Sequence, residues 1–261
     1  MQSKEIISAL TSLDPIGLDE IGSVKFMNRI ETKYVISIRK IIDLIELIEK
    51  KYKVLEIANL RALPYHTTYM DTPDYFFYNQ HVRGKLERHK IRYRKYEATN
   101  TSFLEIKKTT NKRRSIKWRI ENQFISGSFD SPAVNFIGEH LTINSAFVKP
   151  VLINRFMRST LIGLESNERI TIDHNISFSE TINGNHIEMP YLAIIELKRE
   201  GHSSFSPFKN IIKQLNIYPT GFSKYCIGNA ILNDSQRRNR IKPKLLLLNR
   251  IENEYIRSYC N

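Results

Sequence analysis

Disulfide staples, membrane spans and flexible linkers are all missing from this sequence. Only two cysteines occur, Cys226 and Cys260, which is too few for a disulfide framework. The fold must therefore rest on a hydrophobic core, and a reducing, cytoplasmic setting is expected. The longest apolar runs are as short as Leu245 to Leu248, far below the ~18 residues that a membrane-crossing helix requires. Residues Met1 to Leu13 carry no secretory apolar segment, so no membrane insertion by this chain is expected. No repeat, low-complexity block or Gly/Ser-rich stretch divides the chain. It reads as a single domain over residues 1–261, with a core at about 24–232 and a basic helical tail at 233–261. The seven histidines have no metal-ligand spacing such as H-x₃-H. Acidic residues are also in deficit: 27 Asp+Glu stand against 40 Lys+Arg, a net charge of +13. Such an excess points to an anionic partner, whether nucleic acid, a membrane surface or a phosphate-rich small molecule.

What is present is a succession of strands followed by helices. Residues 3–10 fit a short amphipathic helix, and 24–38 a long strand. Ile41, Ile42, Leu44, Ile45, Leu47 and Ile48 give an apolar stripe at helical spacing over 39–52. Strand patterns follow at 65–71, 85–96, 102–109, 115–124, 150–162, 168–179 and 190–199, interrupted by a helix at 131–140. Beyond Gly201, segments 206–215, 223–233 and 236–258 read as helices. This order predicts an α+β fold: an antiparallel β-barrel of about eight strands with the helices packed outside.

Side chains of a strand alternate between its faces. Arg88, Lys90, Arg92 and Arg94 therefore share one face, as do Glu105 with Lys107, Lys117 with Arg119, and Arg29 with Glu31 and Lys33. Arg169, Thr171 and Asp173 oppose Ile170 and Ile172, and Glu196 with Lys198 opposes Ile195 and Leu197. From Arg83 to Arg119 there are 14 Lys+Arg against three Glu. A solvated sheet face would explain any one such strand. Six of them favour a charged interior, because rows of like charge on neighbouring strands repel unless an anion lies between them. Arginine suits that task, since its planar fork makes two contacts with a phosphate.

Several short segments carry a family resemblance in their order. They are Arg29-Ile-Glu31-Thr-Lys33-Tyr34, Thr68-Tyr-Met-Asp71-Thr-Pro73, Arg88-His-Lys-Ile-Arg92-Tyr-Arg94 and Phe103-Leu-Glu105-Ile-Lys107. Asn154-Arg155-Phe156, Glu168-Arg169-Ile-Thr-Ile-Asp173, Ile195-Glu196-Leu-Lys198 and Phe222-Ser223-Lys224-Tyr225 follow. Together they resemble the VTC domain family, the catalytic domain of the vacuolar transporter chaperone polyphosphate polymerases and their bacterial relatives. That family belongs to the CYTH-like triphosphate tunnel metalloenzymes. Hydrolases of the superfamily begin with Glu-x-Glu-x-Lys, whose carboxylates hold metal. Here Arg29 stands in place of the first Glu, which favours the polymerase branch.

The resemblance implies that Arg92, Arg94, Lys107, Arg155 and Lys198 serve catalysis, and that Lys33, Arg169, Lys224 and Tyr225 contact phosphates. Alternation adds Arg88 and Lys90 to the lining, with Arg29, Glu31, Glu105, Lys117 and Arg119 as secondary candidates. Glu196 is the implied ligand of Mn²⁺ or Mg²⁺. The implied substrates are ATP and polyphosphate or triphosphate, with the γ-phosphate passed to a growing chain. The rival readings are a triphosphatase on the same fold and a binding module without turnover. Nucleic acid is not expected, as no recognised binding motif occurs. Asp71, before Thr-Pro, reads as a turn or cap residue. Asp173 either orders its neighbouring arginines or backs a metal. Arg237, Arg238, Arg240, Lys242 and Lys244 form a late basic run, by default a solvated face, with the tunnel mouth or an acidic partner as alternatives.

Overall fold

A computed structural model describes residues 2–21, 29–112, 114–123, 128–200, 205–234 and 236–258. The chain runs α1 (Gln2–Leu10), β1 (Pro15–Ile16), α2 (Leu18–Ile21), β2 (Arg29–Ser37), α3 (Lys40–Ile48), β3 (Tyr52–Leu55), β4 (Leu63–Asp71) and α4 (Phe76–Arg83). Three sequential strands follow, β5 (Arg88–Tyr96), β6 (Thr101–Thr109) and β7 (Ser115–Glu121), then α5 (Ser131–His140). Next come β8 (Lys149–Gly163), β9 (Glu168–Glu180), β10 (His186–Met189) and β11 (Leu192–Glu200). Helices α6 (Pro207–Gln214), α7 (Lys224–Leu232) and α8 (Lys242–Arg257) complete it. The expected strand at 24–38 is described only from Arg29, as residues 22–28 lie outside the described set.

Eight strands form one antiparallel path in the order β2-β11-β9-β8-β4-β5-β6-β7, with β3 and β10 attached to β8 and β9. The sheet curls on itself. Lys107 on β6 reaches Glu31 on β2 at 3.7 Å, although five strands separate the two along the path. Among the described residues β2 and β7 are not hydrogen-bonded to each other. The wall is thus a half-barrel of the expected strand number, in an α+β fold.

The apolar outer face of that wall is covered as alternation requires. Tyr34, Ile36, Ile172, Ile195 and Leu197 pack with α1, α3 and α6 in one core. Ile91, Tyr93, Leu104 and Ile106 pack with α5 and Phe77 of α4 in another. Each such side chain gains about 1.5–3 kcal/mol on burial. Local signals start the helices: Asp130 accepts from the Ala133 amide at 3.0 Å ahead of α5, and Ser206 from the Lys209 amide at 3.2 Å ahead of α6.

Helix α7 departs from the expectation that the helices lie outside. It packs with α4 and α8 in a third core that includes Val35, Leu152, Phe156, Phe178 and Ile194. By strand parity these side chains share the concave face with Lys33, Arg158 and Glu196. A β-bulge makes this possible. Asn175, with φ of 50°, and Ile176 together stand opposite Phe156 alone, since Arg155 pairs with Ser177 and Met157 with His174. The extra residue reverses the alternation of β9. Arg169, Thr171 and Asp173 face the lumen before the bulge, and Ile176 and Phe178 face it after. One half of the curl is therefore charged, and the other is apolar and filled by α7.

Among the short elements that were not expected, two border the half-barrel wall, β3 and β10. The helix expected over 39–52 stops at Ile48, because Tyr52–Leu55 pairs with β8 and buries Tyr52 and Val54. β10 returns on β9 after Asn183-Gly184, with Gly184 at φ of 71°. Asn-Gly is itself a hairpin signal.

Candidate functional site

The charged half of the lumen is built from rows on neighbouring strands brought into register. Arg92 pairs with Glu105, which pairs onward with Arg119. Lys33 pairs with Glu196 and Glu31 with Lys198, while Lys198 also faces Arg169. Three carboxylates each sit between two cations. Arg92 meets Glu105 Oε2 through Nε and Nη2, each at 2.7 Å, and Lys117 meets its Oε1 at 2.5 Å. Lys33 and Lys198 each contact one oxygen of Glu196. Arg158 and Lys224 share Asp173, with Arg158 Nε at 2.6 Å from Oδ1.

Burial and crowding set the electrostatics. Burial alone would raise the Glu105 carboxyl, but Arg92, Arg94 and Lys117 pull it down to about 2. Glu196 and Asp173 are likewise held far below the usual carboxylate range, against their burial, by Lys198 with Lys33 and by Arg158 with Lys224. The lysines shift the other way. Burial pushes Lys198 and Lys224 down to about 8 in spite of their carboxylate partners. Lys90 is lowered to about 8 by burial and by its neighbours Lys107, Arg92 and Lys33. Its ammonium donates to Ser223 Oγ at 3.0 Å. Arg94 is only 8% exposed and its Nε has no hydrogen-bond partner. Burial and Arg92 both disfavour its charge, and its guanidinium lies 5.7 Å from the Tyr65 ring centre. The lumen thus holds cationic side chains beyond what its carboxylates neutralise.

Most residues singled out in the sequence meet here, but not all. Lys33, Lys90, Arg92, Arg94, Lys107, Lys117, Arg169, Glu196, Lys198 and Lys224 share the concave face by strand register or contact. Arg88 lies at one mouth, held by the carbonyls of Lys85 at 2.8 Å and Leu86 at 3.5 Å. Arg119 is on the same face near the β7 edge, exposed, with its guanidinium 4.7 Å from the Phe103 ring centre. The Arg29 side chain lies outside the described residues.

Arg155 and Tyr225 correct the expectation. Arg155 is exposed on the outer face, because Asn154, Phe156 and Arg158 take the lumen parity of β8 and Arg155 lies opposite His66. Arg158, three residues on, occupies the lumen instead. Tyr225 is 1% exposed and its hydroxyl donates to Asp71. Asp71 also accepts from the amides of Phe77 and Tyr78, each at 2.9 Å, as a cap of α4. Tyr225 therefore anchors α7 to β4 and does not face the charged lumen. Asp173, left open in the sequence, orders Arg158 and Lys224.

The donor set bears on a divalent metal. No group of three His, Cys, Asp or Glu side chains able to hold one comes together among the described residues. Glu196 and Glu31 are diagonal neighbours on the same face of β11 and β2. Such a pair does not make a protein-only cage. It fits Mg²⁺ or Mn²⁺, which use one or two carboxylates and fill their remaining positions with phosphate oxygens and water. No described helix is long and apolar enough to cross a membrane.

A search of curated proteins finds no match. Solved structures of similar shape include a candidate adenylate cyclase from Bacillus halodurans, at 16% identity, TM-score 0.48, covering 76% of this chain and 94% of that one. A candidate adenylate cyclase from Vibrio parahaemolyticus matches at 10% identity and TM-score 0.46, over 77% of this chain and 97% of that one. A candidate adenylyl cyclase from Hippeastrum with a dominant triphosphatase activity matches at 11% identity and TM-score 0.45, over 78% and 96%. The family model of the VTC domain matches residues 28–233, a span that contains every strand of the half-barrel path and α7. On that match over most of its length, the chain belongs to the VTC domain family.

Proposed function

We propose that this chain is an ATP-dependent polyphosphate polymerase that passes the γ-phosphate of ATP to the end of a polyphosphate chain in the cationic lumen. The observation that carries the reading is the surplus of buried cations, above all Arg94, whose guanidinium is enclosed without a hydrogen bond at Nε. A linear polyanion supplies the missing partners. Membership of the VTC domain family supports the same reading.

Phosphoryl transfer asks the protein chiefly to position groups and to stabilise charge. Lys33, Arg92, Arg94, Lys107, Arg158, Arg169, Lys198 and Lys224 would hold the triphosphate of ATP and the acceptor end in line. The bond from Pγ to the bridging oxygen breaks, a new P–O–P bond forms with the terminal phosphate of the acceptor, and ADP leaves. The acceptor is already an anion, so no strong general base is required. Glu196, with Glu31 beside it, would hold Mg²⁺ or Mn²⁺, which offsets charge on the phosphate oxygens. Lys33 and Lys198 keep Glu196 ionised and ready for that role. Arg29 in place of a carboxylate leaves fewer metal ligands than a triphosphatase motif provides. A cytoplasmic setting, where ATP is plentiful, accords with this function.

The test is incubation of the purified chain with ATP and Mg²⁺ or Mn²⁺, with the product resolved on a gel stained for polyphosphate. A ladder of chains is expected. Orthophosphate and ADP without polymer would identify a triphosphatase, and binding without turnover a polyphosphate-binding module.

A further inference from the structure

One mouth of the lumen opens into a cavity of about 640 Å³ whose charge differs from the lumen's. Arg88, Lys90, Lys107, Arg240 and Lys244 line it, and among the described residues no carboxylate does. In the lumen each carboxylate sits between cations, whereas here five cations converge and Lys107 alone among them pairs with a carboxylate, Glu31, within the described residues. Lys90 and Lys107 belong to both spaces: Lys107 reaches Glu31 inside, and Lys90 stands against Arg92 and Lys33. The cavity is therefore a continuation of the charged channel.

Two of the five cations come from α8 and the turn before it, beyond the matched residues 28–233. This segment lies over the mouth and is tied there through Arg240. Arg240 donates to the Arg83 carbonyl at the end of α4. Lys244 Nζ stands 3.8 Å from where a Cβ on Gly221 would lie, just before α7. The first turns of α7 and α8 both border the cavity, and their dipoles add to its positive potential. Arg240 and Lys244 of the late basic run are thus part of the mouth, while Arg238 pairs with Asp234 and Arg237 and Lys242 are exposed.

We infer that this cavity holds the stretch of a linear polyphosphate chain that extends beyond the lumen, so that α8 makes the protein favour long chains over triphosphate. The inference rests on the proposed reading of the lumen as a polyphosphate site. Among the described lining residues five are cations, against one histidine (His81) and one aromatic ring (Phe222) that could meet a base, which favours repeating phosphates over a nucleoside. Repeating phosphates ask only for spaced cations.

Calorimetric titration of the full chain with tripolyphosphate, ATP and long-chain polyphosphate, each without metal, compares the wild type with R240E/K244E. Long-chain affinity is expected to fall roughly tenfold, in the range for two partly solvated ion contacts whose sign is reversed. Tripolyphosphate and ATP affinities should stay unchanged. R240K/K244R, which keeps the charges, should bind long chains as the wild type does, and its melting temperature controls for folding. Equal losses for tripolyphosphate and long chains, or no change in either, would overturn the inference while leaving the lumen reading intact. A loss confined to ATP would assign the cavity to a nucleoside and overturn it too. If the wild type binds polyphosphate of no length, the lumen reading fails and this one with it.

Discussion

Arg158 grips Asp173 through two parallel contacts, Nε to Oδ1 at 2.6 Å and Nη2 to Oδ2 at 2.7 Å. The same carboxylate also holds Lys224 of α7, so one acid on β9 fixes two cations from two other elements. The Arg158 guanidinium is aimed by this fork and backed by the Tyr65 ring at 5.0 Å. Arg155 on the same strand has no such setting and is exposed on the outer face.

This contrast gives a paired prediction. R158A should lower polymer synthesis by roughly 10²–10³-fold, the loss typical of one preorganised donor at a reacting phosphate or carbonyl. R155A should leave kcat/KM within about twofold, as other exposed substitutions do. Steady-state ADP release measured for both variants checks it. A larger loss in R155A than in R158A would contradict the assignment.

Glu196 separates metal chemistry from anion binding. With Gln there, turnover with Mg²⁺ or Mn²⁺ should fall by roughly 10²-fold or more, as expected when a charge-stabilising group is lost. Metal-free tripolyphosphate should bind more tightly, because Lys33 and Lys198 lose their internal counter-ion. Titration at about pH 6, where lysines stay charged, shows the second effect, and kinetics show the first. Weakened binding in E196Q without metal would mean that Glu196 acts by positioning its lysines.

The charged row Arg88, Lys90, Arg92 and Arg94 was legible because β5 keeps an unbroken alternation, and a strand's faces follow from parity alone. The outer cores over β2, β5, β6, β9 and β11 were legible for the same reason. Which carboxylate lies between which cations was not, since that depends on strand order: Glu196 meets Lys33 only because β11 lies beside β2. Arg158 was hidden by the mixed character of 150–162, where Asn154, Arg155, Phe156, Met157 and Arg158 show no clear two-residue period. A buried helix inside the curl reads in sequence like one outside it. The signal that separates them is the reversal of β9 at Asn175, and an isolated Asn within a strand pattern does not announce a bulge. Tyr225 misled because its neighbour Lys224 does face the lumen, and adjacent residues on a helix point about 100° apart.

The lowered lysines predict a pH dependence with two opposite signs. Lys90, Lys198 and Lys224 each lose their proton at about 8 in the folded chain. Tripolyphosphate affinity should therefore be high below that value and fall as pH rises from about 7 to 9. Binding near pH 8 should take up protons, which appears as a buffer-dependent enthalpy in calorimetry. Ligand-free stability should move the other way. Unfolded lysines still bind protons up to about pH 10.4, so above pH 8 the unfolded chain holds more protons and stability rises with pH. Affinity that is flat from pH 7 to about 9 would rule out titration of these lysines in the site.

Two glycines in helices should respond oppositely to alanine. A Cβ on Gly138 in α5 would meet no atom within 4 Å. G138A should stabilise the chain by up to about 1 kcal/mol through helix propensity alone. In α7, a Cβ on Gly228 would come within 2.6 Å of Phe178 Cδ1 and 2.7 Å of Leu152 Cδ2. Both neighbours are fully buried on the concave wall, so the overpacking, about 1–3 kcal/mol, should outweigh the propensity gain and lower the urea midpoint. To relieve the contact α7 must lift from the wall. That movement draws Lys224 away from Asp173 and Ser223 away from Lys90, whose contacts couple the helix to the charged half of the lumen. G228A should therefore weaken tripolyphosphate binding as well as stability, while G138A leaves binding unchanged. If G228A lost stability yet bound tripolyphosphate as tightly as the wild type, α7 would be a packing element without influence on the site.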